Sequence, residues 1–573
     1  MDNKTVAGIL NQIADILEIK QENKFKIIAY RHAAQIIENL PEDLKTTIQK
    51  GKLREIGGIG EVIASCLEEL IKTNVCKHWE KIKKQIPRGV LNLLNLSGLG
   101  PRKVGFFYQK FDIDSMPKLK KLAKSHRLLK IKGWGEKSEK NILRAIEMYE
   151  QNQGRFLLGE IYPLAQTIVE KLKKIKSINQ IEICGSFRRW KETVGDLDIL
   201  ITSKNPVEAT NFFTTLDLVK KIIVCGPTKS QVVLKNGIKA DLRVVSQNSF
   251  GAALHYFTGS KNHNIQIRKL ALGKKLKINE YGVFKKNGKK FIKIGGEKEK
   301  DVFQAVGLPW IPPELREDSG EIKAAQDKSL PNLISLNDIQ GDCHLHTNWS
   351  DGKNNILETI TMAQKKGYKY IAITDHASPL VVTNGLNNQR ALKYIRAIKA
   401  IRKKVKGIKI LVGVEVDIKK NGDLYLPNKI LEQMDLVIAS IHSGFKMDRQ
   451  TATQRLIKAI ENPYVNIIAH PTGRIINERD GYPVDFDKIS EKAKKSKVAL
   501  EINAHWQRLD LDANQVRLAK ENGVKMIISS DAHNVNSFES MKFGVAVARK
   551  GWLEKNNVIN TWPLKNFLNF IKK

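Results

Sequence analysis

The sequence predicts a multidomain chain: an α-helical N-terminal region, an α+β middle and a C-terminal (β/α) barrel. Three observations predict it. An apolar residue followed by G-x-G and an amphipathic helix occurs three times before residue 150. Short β-rich runs punctuated by Gly and Asn then take over from Ile181 to about Leu308. After Gly341, apolar strand-like runs alternate with amphipathic helices nearly to the end, the rhythm of a parallel α/β architecture. At roughly 100–200 residues per domain, 573 residues suffice for about three to five domains.

Bulk composition narrows the partners. Hydrophobic residues make up 42% of the chain, so several ordinary cores can be buried and a disordered chain is excluded. Lys and Arg number 97 against 60 Asp and Glu, a formal charge of +37 that favours a polyanion, nucleic acid first. The cysteines are Cys66, Cys76, Cys184, Cys225 and Cys343. Their number is odd and no two form C-x-x-C, which predicts a reducing compartment without a disulfide framework. Met1–Lys20 alternates charged and apolar residues and lacks a signal-peptide core. No stretch approaches the ~18–20 apolar residues of a membrane span. A soluble, cytoplasmic, monomeric protein without membrane contacts is the expectation.

The threefold pattern lies at Ile56–Leu70, Leu96–Tyr108 and Ile131–Ile146. Its glycine pairs are Gly58/Gly60, Gly98/Gly100 and Gly133/Gly135. Glycine permits the tight turn and lets backbone N–H groups approach an anion at the start of a helix. The unit resembles the helix–hairpin–helix, a clamp on the DNA backbone that ignores sequence. Three copies in one basic region make these glycines the expected DNA contacts.

In the middle region the strand Ile181–Cys184 leads into Gly185-Ser186-Phe187-Arg188-Arg189. Gly195-Asp196-Leu197-Asp198 follows and runs into Ile199–Ile201. Residues two apart on a strand share a face, so Asp196 and Asp198 point the same way. Carboxylates that close repel unless a cation lies between them. Mg²⁺ takes such oxygen ligands and leaves room for a triphosphate. Asp241 opens another apolar strand, Asp241–Val245. Three such carboxylates would hold two Mg²⁺ ions, one beside an attacking 3′-hydroxyl and one beside the leaving pyrophosphate. The G-S upstream of D-x-D resembles the nucleotidyltransferase superfamily and, more closely, the family X DNA polymerases. That resemblance continues in Tyr256-Phe257-Thr258-Gly259-Ser260 and Asn279-Glu280-Tyr281-Gly282. It implies DNA and dNTPs as partners, with Mn²⁺ as an alternative ion. Triphosphate contacts would come from Arg155, Gly185, Ser186, Arg189 and Gly195. Tyr256, Phe257 and Gly259 would line the deoxyribose, and Asn264 and Arg268 would meet the nascent pair. Tyr30 and Arg31 match the segment that binds a 5′ end.

The C-terminal third carries metal-ligand residue types where strand after strand ends. Asp342-Cys343-His344-Leu345-His346 opens it, with Asp351 next. Later strands lead into Asp375-His376, Glu415, His442, His470, Glu501 and Asp531-Ala532-His533. In a (β/α) barrel these positions converge on one mouth. Mixed imidazole and carboxylate suits Zn²⁺, Mn²⁺ or Fe²⁺ better than Mg²⁺ alone. The region resembles the PHP (polymerase and histidinol phosphatase) domain, a distorted (β/α) barrel. Its ligand pattern falls on His344, His346, Asp351, His376, Glu415, His442, His470, Asp531 and His533, implying up to three Mn²⁺ or Zn²⁺ ions with Glu415 bridging two. Arg474, after His-Pro-Thr-Gly, is placed to hold a substrate phosphate.

The whole layout resembles the bacterial and archaeal PolX family, family X polymerases with a C-terminal PHP domain. It divides the chain into residues 1–85, a helical DNA-binding domain; 86–150, a fingers-like region with two further hairpins; 151–308, palm and nascent-base-pair subdomain; 309–337, a Pro-, Glu-, Asp- and Lys-rich linker; and 338–573, the PHP domain. The implied function is short-gap filling on gapped or primer–template DNA in base excision repair. A 3′→5′ exonuclease, 3′-phosphatase or AP endonuclease would reside in the PHP domain. A DNA-gap tether and a phosphatase for small phosphate esters are the rival readings. Intact carboxylates disfavour the first, three clamp repeats the second. One departure matters: family members with 5′-deoxyribose-phosphate lyase activity carry a lysine nucleophile after the first hairpin, and here that position is Cys66. A thiol cannot form the imine, and Lys72 and Lys77 fall at other helical positions. Borohydride treatment with an incised abasic 5′ end is expected to trap no efficient covalent adduct. A strong adduct mapping to the N-terminal region would show that another lysine serves.

Overall fold

The computed structural model describes the chain apart from residues 2, 39, 41–43, 97, 131–133, 153, 289 and 573. It contains two compact units, Met1–Gln153 with Asn477–Arg479, and Gly154–Ile476 with Asp480–Lys573. Among the described residues no helix is long and apolar enough to cross a membrane.

The first unit is helical, around a core that includes Leu10, Ile13, Leu67, Val104 and Phe107. The G-x-G turns lead into α1 (Glu61–Thr73), α2 (Pro101–Phe111) and α3 (Glu136–Asn152). Gly58 and Gly98 hold φ of +91° and +78°, where a side chain would strain the backbone. Gly60 and Gly100 are the N-caps of α1 and α2. Gly133 lies outside the described residues. The cysteine reading needs a correction, because Cys66 and Cys76 are disulfide-bonded, their Cα atoms 5.5 Å apart. α1 stops at Asn74, whose left-handed conformation turns the chain back. Cys76 then caps the next helix and lies beside Cys66, ten residues away, a spacing that C-x-x-C does not describe. Cys184, Cys225 and Cys343 are free.

The second unit begins with a five-stranded sheet of β1 (Ile178–Ile183), β2 (Asp196–Ser203), β3 (Val219–Cys225), β4 (Lys229–Leu234) and β5 (Lys239–Val244), in the order β1-β2-β5-β4-β3. Only the β2–β5 pair is parallel. Two helices follow, α4 (Phe250–Thr258) and α5 (Lys261–Gly273). A three-stranded antiparallel meander, β6 (Leu276–Asn279), β7 (Gly282–Asn287) and β8 (Lys290–Gly295), and α6 (Glu299–Ala305) complete this part.

The rest is a parallel array of β9 (Gly341–Asp342), β10 (Tyr370–Ile373), β11 (His376–Ala377), β12 (Lys409–Asp417), β13 (Leu436–Ser440), β14 (Ile467–Ile468), β15 (Ala499–Asn503) and β16 (Met526–Ser529). Its order is β9-β10-β12-β13-β14-β15-β16, with β11 also on β12. A parallel bridge from Leu345 to Ala532 brings the last strand back to the first, giving a nearly closed barrel. Both faces of these strands are buried, which explains their unbroken apolar runs.

Residues 309–337, read as a linker, are folded. They contain the helix Glu321–Gln326 and two 3₁₀ turns. Glu314 pairs with Arg549 of the barrel at 2.7 Å, and Glu321 with His263 at 2.7 Å. Lack of periodicity misled here because the apolar side chains that anchor the segment, Ile311, Leu315, Ala324, Ala325 and Ile334 among them, are irregularly spaced, and charged side chains add to their hold. Its strongest anchor is Arg316, fully buried and 2.6 Å from Glu299, which also takes Arg188 at 2.5 Å. Burial alone would raise the Glu299 carboxyl, but Arg316 and Arg188 hold it well below the usual carboxylate range. Stability from this trio is therefore present above the unfolded carboxyl pKa of about 4.3 and is lost as pH falls below it. Glu299→Gln leaves two guanidinium groups facing a neutral amide and should destabilise the second unit by about 3–5 kcal/mol. Thermal melts at pH 7 and pH 4 check this, with the gap to wild type narrowing at the lower pH. Equal melting temperatures at pH 7 would count against it.

Candidate nucleotide site and metal centre

The β2–β5 register sets the first site. Asp198 lies directly opposite Asp241, and Asp196 is one strand period earlier on the same face. Asp241 accepts a 2.7 Å hydrogen bond from Gln231 Nε2. The Asp198 carboxyl is pushed up to about 7, first by burial and then by Asp196 and Asp241, which outweigh Arg243 and Arg189. Three carboxylates gathered on one face of the sheet are a donor set that fits hard divalent ions. Gly185 adopts φ of +63°, and a Cβ there would stand 2.5 Å from Asp198 Oδ2, so the turn holding Ser186 requires glycine.

The structure brings the other expected nucleotide residues around this sheet, several of them engaged. Arg155 donates to the Thr193 hydroxyl at 2.9 Å and to its carbonyl at 2.5 Å, beside Gly195. Arg189 donates to Glu317 at 2.9 Å and to the Thr258 carbonyl at 2.7 Å. Tyr256 and Phe257 meet edge to face at 5.2 Å, with the Arg243 guanidinium over Phe257. Asn264 Nδ2 donates to the Tyr256 carbonyl at 2.8 Å, while its Oδ1 is buried without a partner. Gly259 packs against that same amide. Arg268 donates to the Asn264 carbonyl at 3.3 Å.

In the N-terminal unit the expected contacts divide. Added Cβ atoms at Gly60, Gly98, Gly100 and Gly135 would meet nothing within 4 Å, so these turns face open space. Gly58 instead packs on His32. Tyr30 is a core side chain, 6% exposed, and Arg31 pairs with Asp15 at 2.6 Å and Glu18 at 3.3 Å.

The second site lies at the barrel mouth and is built around Glu415, which has no exposure. Its Oε2 is 2.7 Å from His376 Nδ1, 3.3 Å from His344 Nε2 and 3.5 Å from His346 Nε2. Its Oε1 is 3.0 Å from His470 Nε2 and 3.3 Å from His442 Nε2. Asp531 Oδ1 is 3.2 Å from His346 Nε2 and 3.5 Å from His344 Nε2. Asp351 lies 3.4 Å from His533 and 3.6 Å from His376. The nine expected ligands thus form one cluster containing three metal-sized groups: His344, His346 and Asp531; His346, Asp351, His376 and His533; and His376, Glu415 and His442. His344 Nε2, both His346 nitrogens, His376 Nδ1 and Glu415 Oε2 are buried without hydrogen-bond geometry, although several lie within contact distance of one another. Lone pairs aimed at shared points in this way fit bound cations. Burial opposes ionisation of Glu415 and Asp531, yet the surrounding imidazoles hold both well below the usual carboxylate range. Burial likewise lowers His442, but Glu415 and Asp417 raise it to about 10.

The residues that orient this cluster were less visible. Asp417 accepts from His442 Nδ1 at 2.6 Å, and Glu501 from His344 Nδ1 at 2.6 Å and from the His470 N–H at 2.8 Å. Sequence reasoning placed Glu501 among the strand-end acids without a role and missed Asp417. Its signal was there, since Asp417 follows Glu415 by two on β12 and shares its face. Arg474 is a correction: it is tied to Glu192 and to the Leu509 carbonyl, and so it braces the barrel against the palm.

Together, fold and sites define a family X polymerase core joined to a PHP metal centre. The helix-hairpin-helix domain family matches residues 1–76, the DNA polymerase beta palm 158–253, the DNA polymerase beta thumb 253–317 and the PHP domain 342–505. A Bacillus subtilis protein named "DNA polymerase/3'-5' exonuclease PolX" is 38% identical, covering 100% of both chains. The chain belongs to the PolX family. Its C-terminal part also resembles smaller proteins. A probable phosphatase of Thermoanaerobacter sp. is 35% identical over 38% of this chain and 89% of its own length, and one of Shewanella sediminis is 29% identical over 40% and 93%.

Acceptors outside the first ligand sphere fix the tautomer and orientation of ligating histidines, and their loss commonly costs about 10–100-fold in metal affinity. Asp417→Asn and Glu501→Gln should each retain less Mn²⁺ or Zn²⁺ than wild type after dialysis, at unchanged circular dichroism. Full retention would remove these two residues from the metal site.

Proposed function

We propose that this protein fills short gaps in DNA during base excision repair and trims 3′ ends in the same chain. The observation that carries the reading is the paired register of Asp198 and Asp241, with Asp196 beside them, in a chain that also gathers a largely buried cluster of metal-ligand side chains. Asp196, Asp198 and Asp241 would hold Mg²⁺, or Mn²⁺, at the polymerase site. Gly185, Ser186, Arg189, Gly195 and Arg155 would grip the triphosphate. The Asn264 bond to the Tyr256 carbonyl fixes that oxygen between two rings, where a ribose 2′-hydroxyl would clash. The open glycine turns at Gly60, Gly98, Gly100 and Gly135 would take the DNA backbone, with residues 1–150 serving binding, 151–308 polymerisation and 338–573 the second activity.

At the barrel, the nine ligands would hold up to three Mn²⁺ or Zn²⁺ ions, which when bound supply an activated water and neutralise phosphate charge. Removal of a 3′ nucleotide is the reading favoured by the full-length relative's printed activity. Hydrolysis of a 3′-phosphate is the second reading, favoured by the PHP relatives named as probable phosphatases. A cytoplasmic location and a monomeric state complete the proposal.

The two activities should separate by mutation. Asp241→Ala should lower dNTP addition on a gapped duplex by ~100-fold or more while leaving 3′-end shortening near wild type, since no barrel ligand changes. His344→Ala or Glu415→Ala should do the reverse. Mn²⁺ should support shortening better than Mg²⁺ because of the histidine-rich donor set. One gel scoring extension and shortening for each variant decides. Loss of both activities in folded Asp241→Ala protein would sink the two-site reading.

A further inference from the structure

The barrel mouth contains an arginine whose guanidinium makes one long ion pair and, among the described residues, no hydrogen bond. Arg508 follows β15, and its side chain is only 24% exposed. No hydrogen bond of its guanidinium is found among the described residues. The nearest carboxylate oxygen, Asp531 Oδ2, is 3.9 Å from Nε, beyond hydrogen-bond reach. That oxygen already accepts from Asn503 Nδ2 at 3.0 Å. Asp510, two residues on, is engaged by the Thr472 N–H and hydroxyl and by the Arg474 N–H. Other arginines of this domain differ. Arg402, Arg455, Arg474 and Arg549 all donate to carbonyls or carboxylates. Withdrawing a guanidinium from water without matching its five N–H donors is unfavourable. The same loop presents a second unmatched group, since His505 Nδ1 is buried without a partner and the ring senses Asp531, Arg508 and His533.

We propose that Arg508 is the phosphate anchor of the barrel site, taking a non-bridging oxygen of the phosphate ester to be cleaved, with His505 lining the same pocket. This rests on the reading of the barrel as a phosphoesterase centre. Asp531 belongs to the ligand cluster, so with a cation beside it its charge no longer serves Arg508. The planar donor fork is then free for an anion of matching geometry, and a phosphate has it. Arg508 thereby takes the part that the sequence offered to Arg474, whose donors are spent on Glu192 and Leu509. The shared chemistry is a phosphate ester at a DNA 3′ end, either the last phosphodiester or a terminal 3′-phosphate.

The test uses the full-length chain, Arg508→Gln and Arg508→Lys, with primer extension as the folding control. Mn²⁺-loaded proteins are given a gapped duplex ending in a 3′-hydroxyl and one ending in a 3′-phosphate. Binding of deoxyadenosine 5′-monophosphate is measured by calorimetry in an Asp241→Ala background, which silences the polymerase site. Arg508→Gln should weaken monophosphate binding and slow processing of one or both ends by on the order of tenfold or more, with bound Mn²⁺ unchanged and Arg508→Lys intermediate. The slowed end names the ester. Wild-type binding and processing by Arg508→Gln would overturn the proposal. So would loss of Mn²⁺ from that variant, which would make Arg508 a support of the ligands instead. Wild-type protein that binds the monophosphate through Arg508 but processes neither end would keep the anchor and overturn the nuclease reading.

Discussion

Glu415 has no contact with water, yet it is held as an anion, and the C-terminal half of the molecule is arranged around that condition. A buried carboxylate is costly unless it is paired and hydrogen-bonded. Here the compensation comes from five imidazoles on four segments of the chain, each within 3.5 Å of one of its oxygens. Parallel strands make this possible because their carboxyl ends all face one mouth. Asp417 and Glu501 then pin rings whose outer nitrogens would otherwise be unpaired. The barrel's apolar strands serve the same end, since removal of any one would displace a member of the cluster.

The palm solves the like-charge problem differently. Asp198 is held between two other carboxylates and burial has lifted it to about 7, whereas Asp196 is exposed. Neighbouring cations are not spent on it: Arg188 faces Glu299, and Arg189 faces Glu317. Both acids come from chain that follows the sheet, and Glu317 also draws Lys191 and Lys550. The result is a positively lined wall whose charges are balanced from behind, with the carboxylates left to repel one another unless a cation lies between them.

Most of this was legible in sequence because the signals were periodic or spaced. The five palm strands fall on the β-rich runs, and the D-x-D spacing puts two carboxylates on one face. Strand-end histidines announced the barrel because each follows an apolar run. What could not be read was pairing across distance. Arg474 and Arg508 look alike in sequence, and only Glu192, nearly three hundred residues from Arg474, shows which is engaged. Tyr30 matched a DNA-contacting segment, but its ring is part of the core. The segment 309–337 carries too little apolar periodicity to announce a fold, because its core residues are irregularly spaced and its ion pairs, such as Glu314 with Arg549, cannot be read from local sequence.

The contrast between the two sites follows from dielectric and donor type, and it assigns them different working lives. An open set of carboxylates binds hard ions through oxygen and leaves them partly hydrated, so ions can come and go with each nucleotide. A closed set of imidazoles and carboxylates loses much of its own stability without cations, because its charges are then balanced only by shared protons. Ions bound there would become part of the fold and would persist through many turnovers. The polymerase site is thus a place that substrate completes, and the barrel site one that the protein completes before substrate arrives.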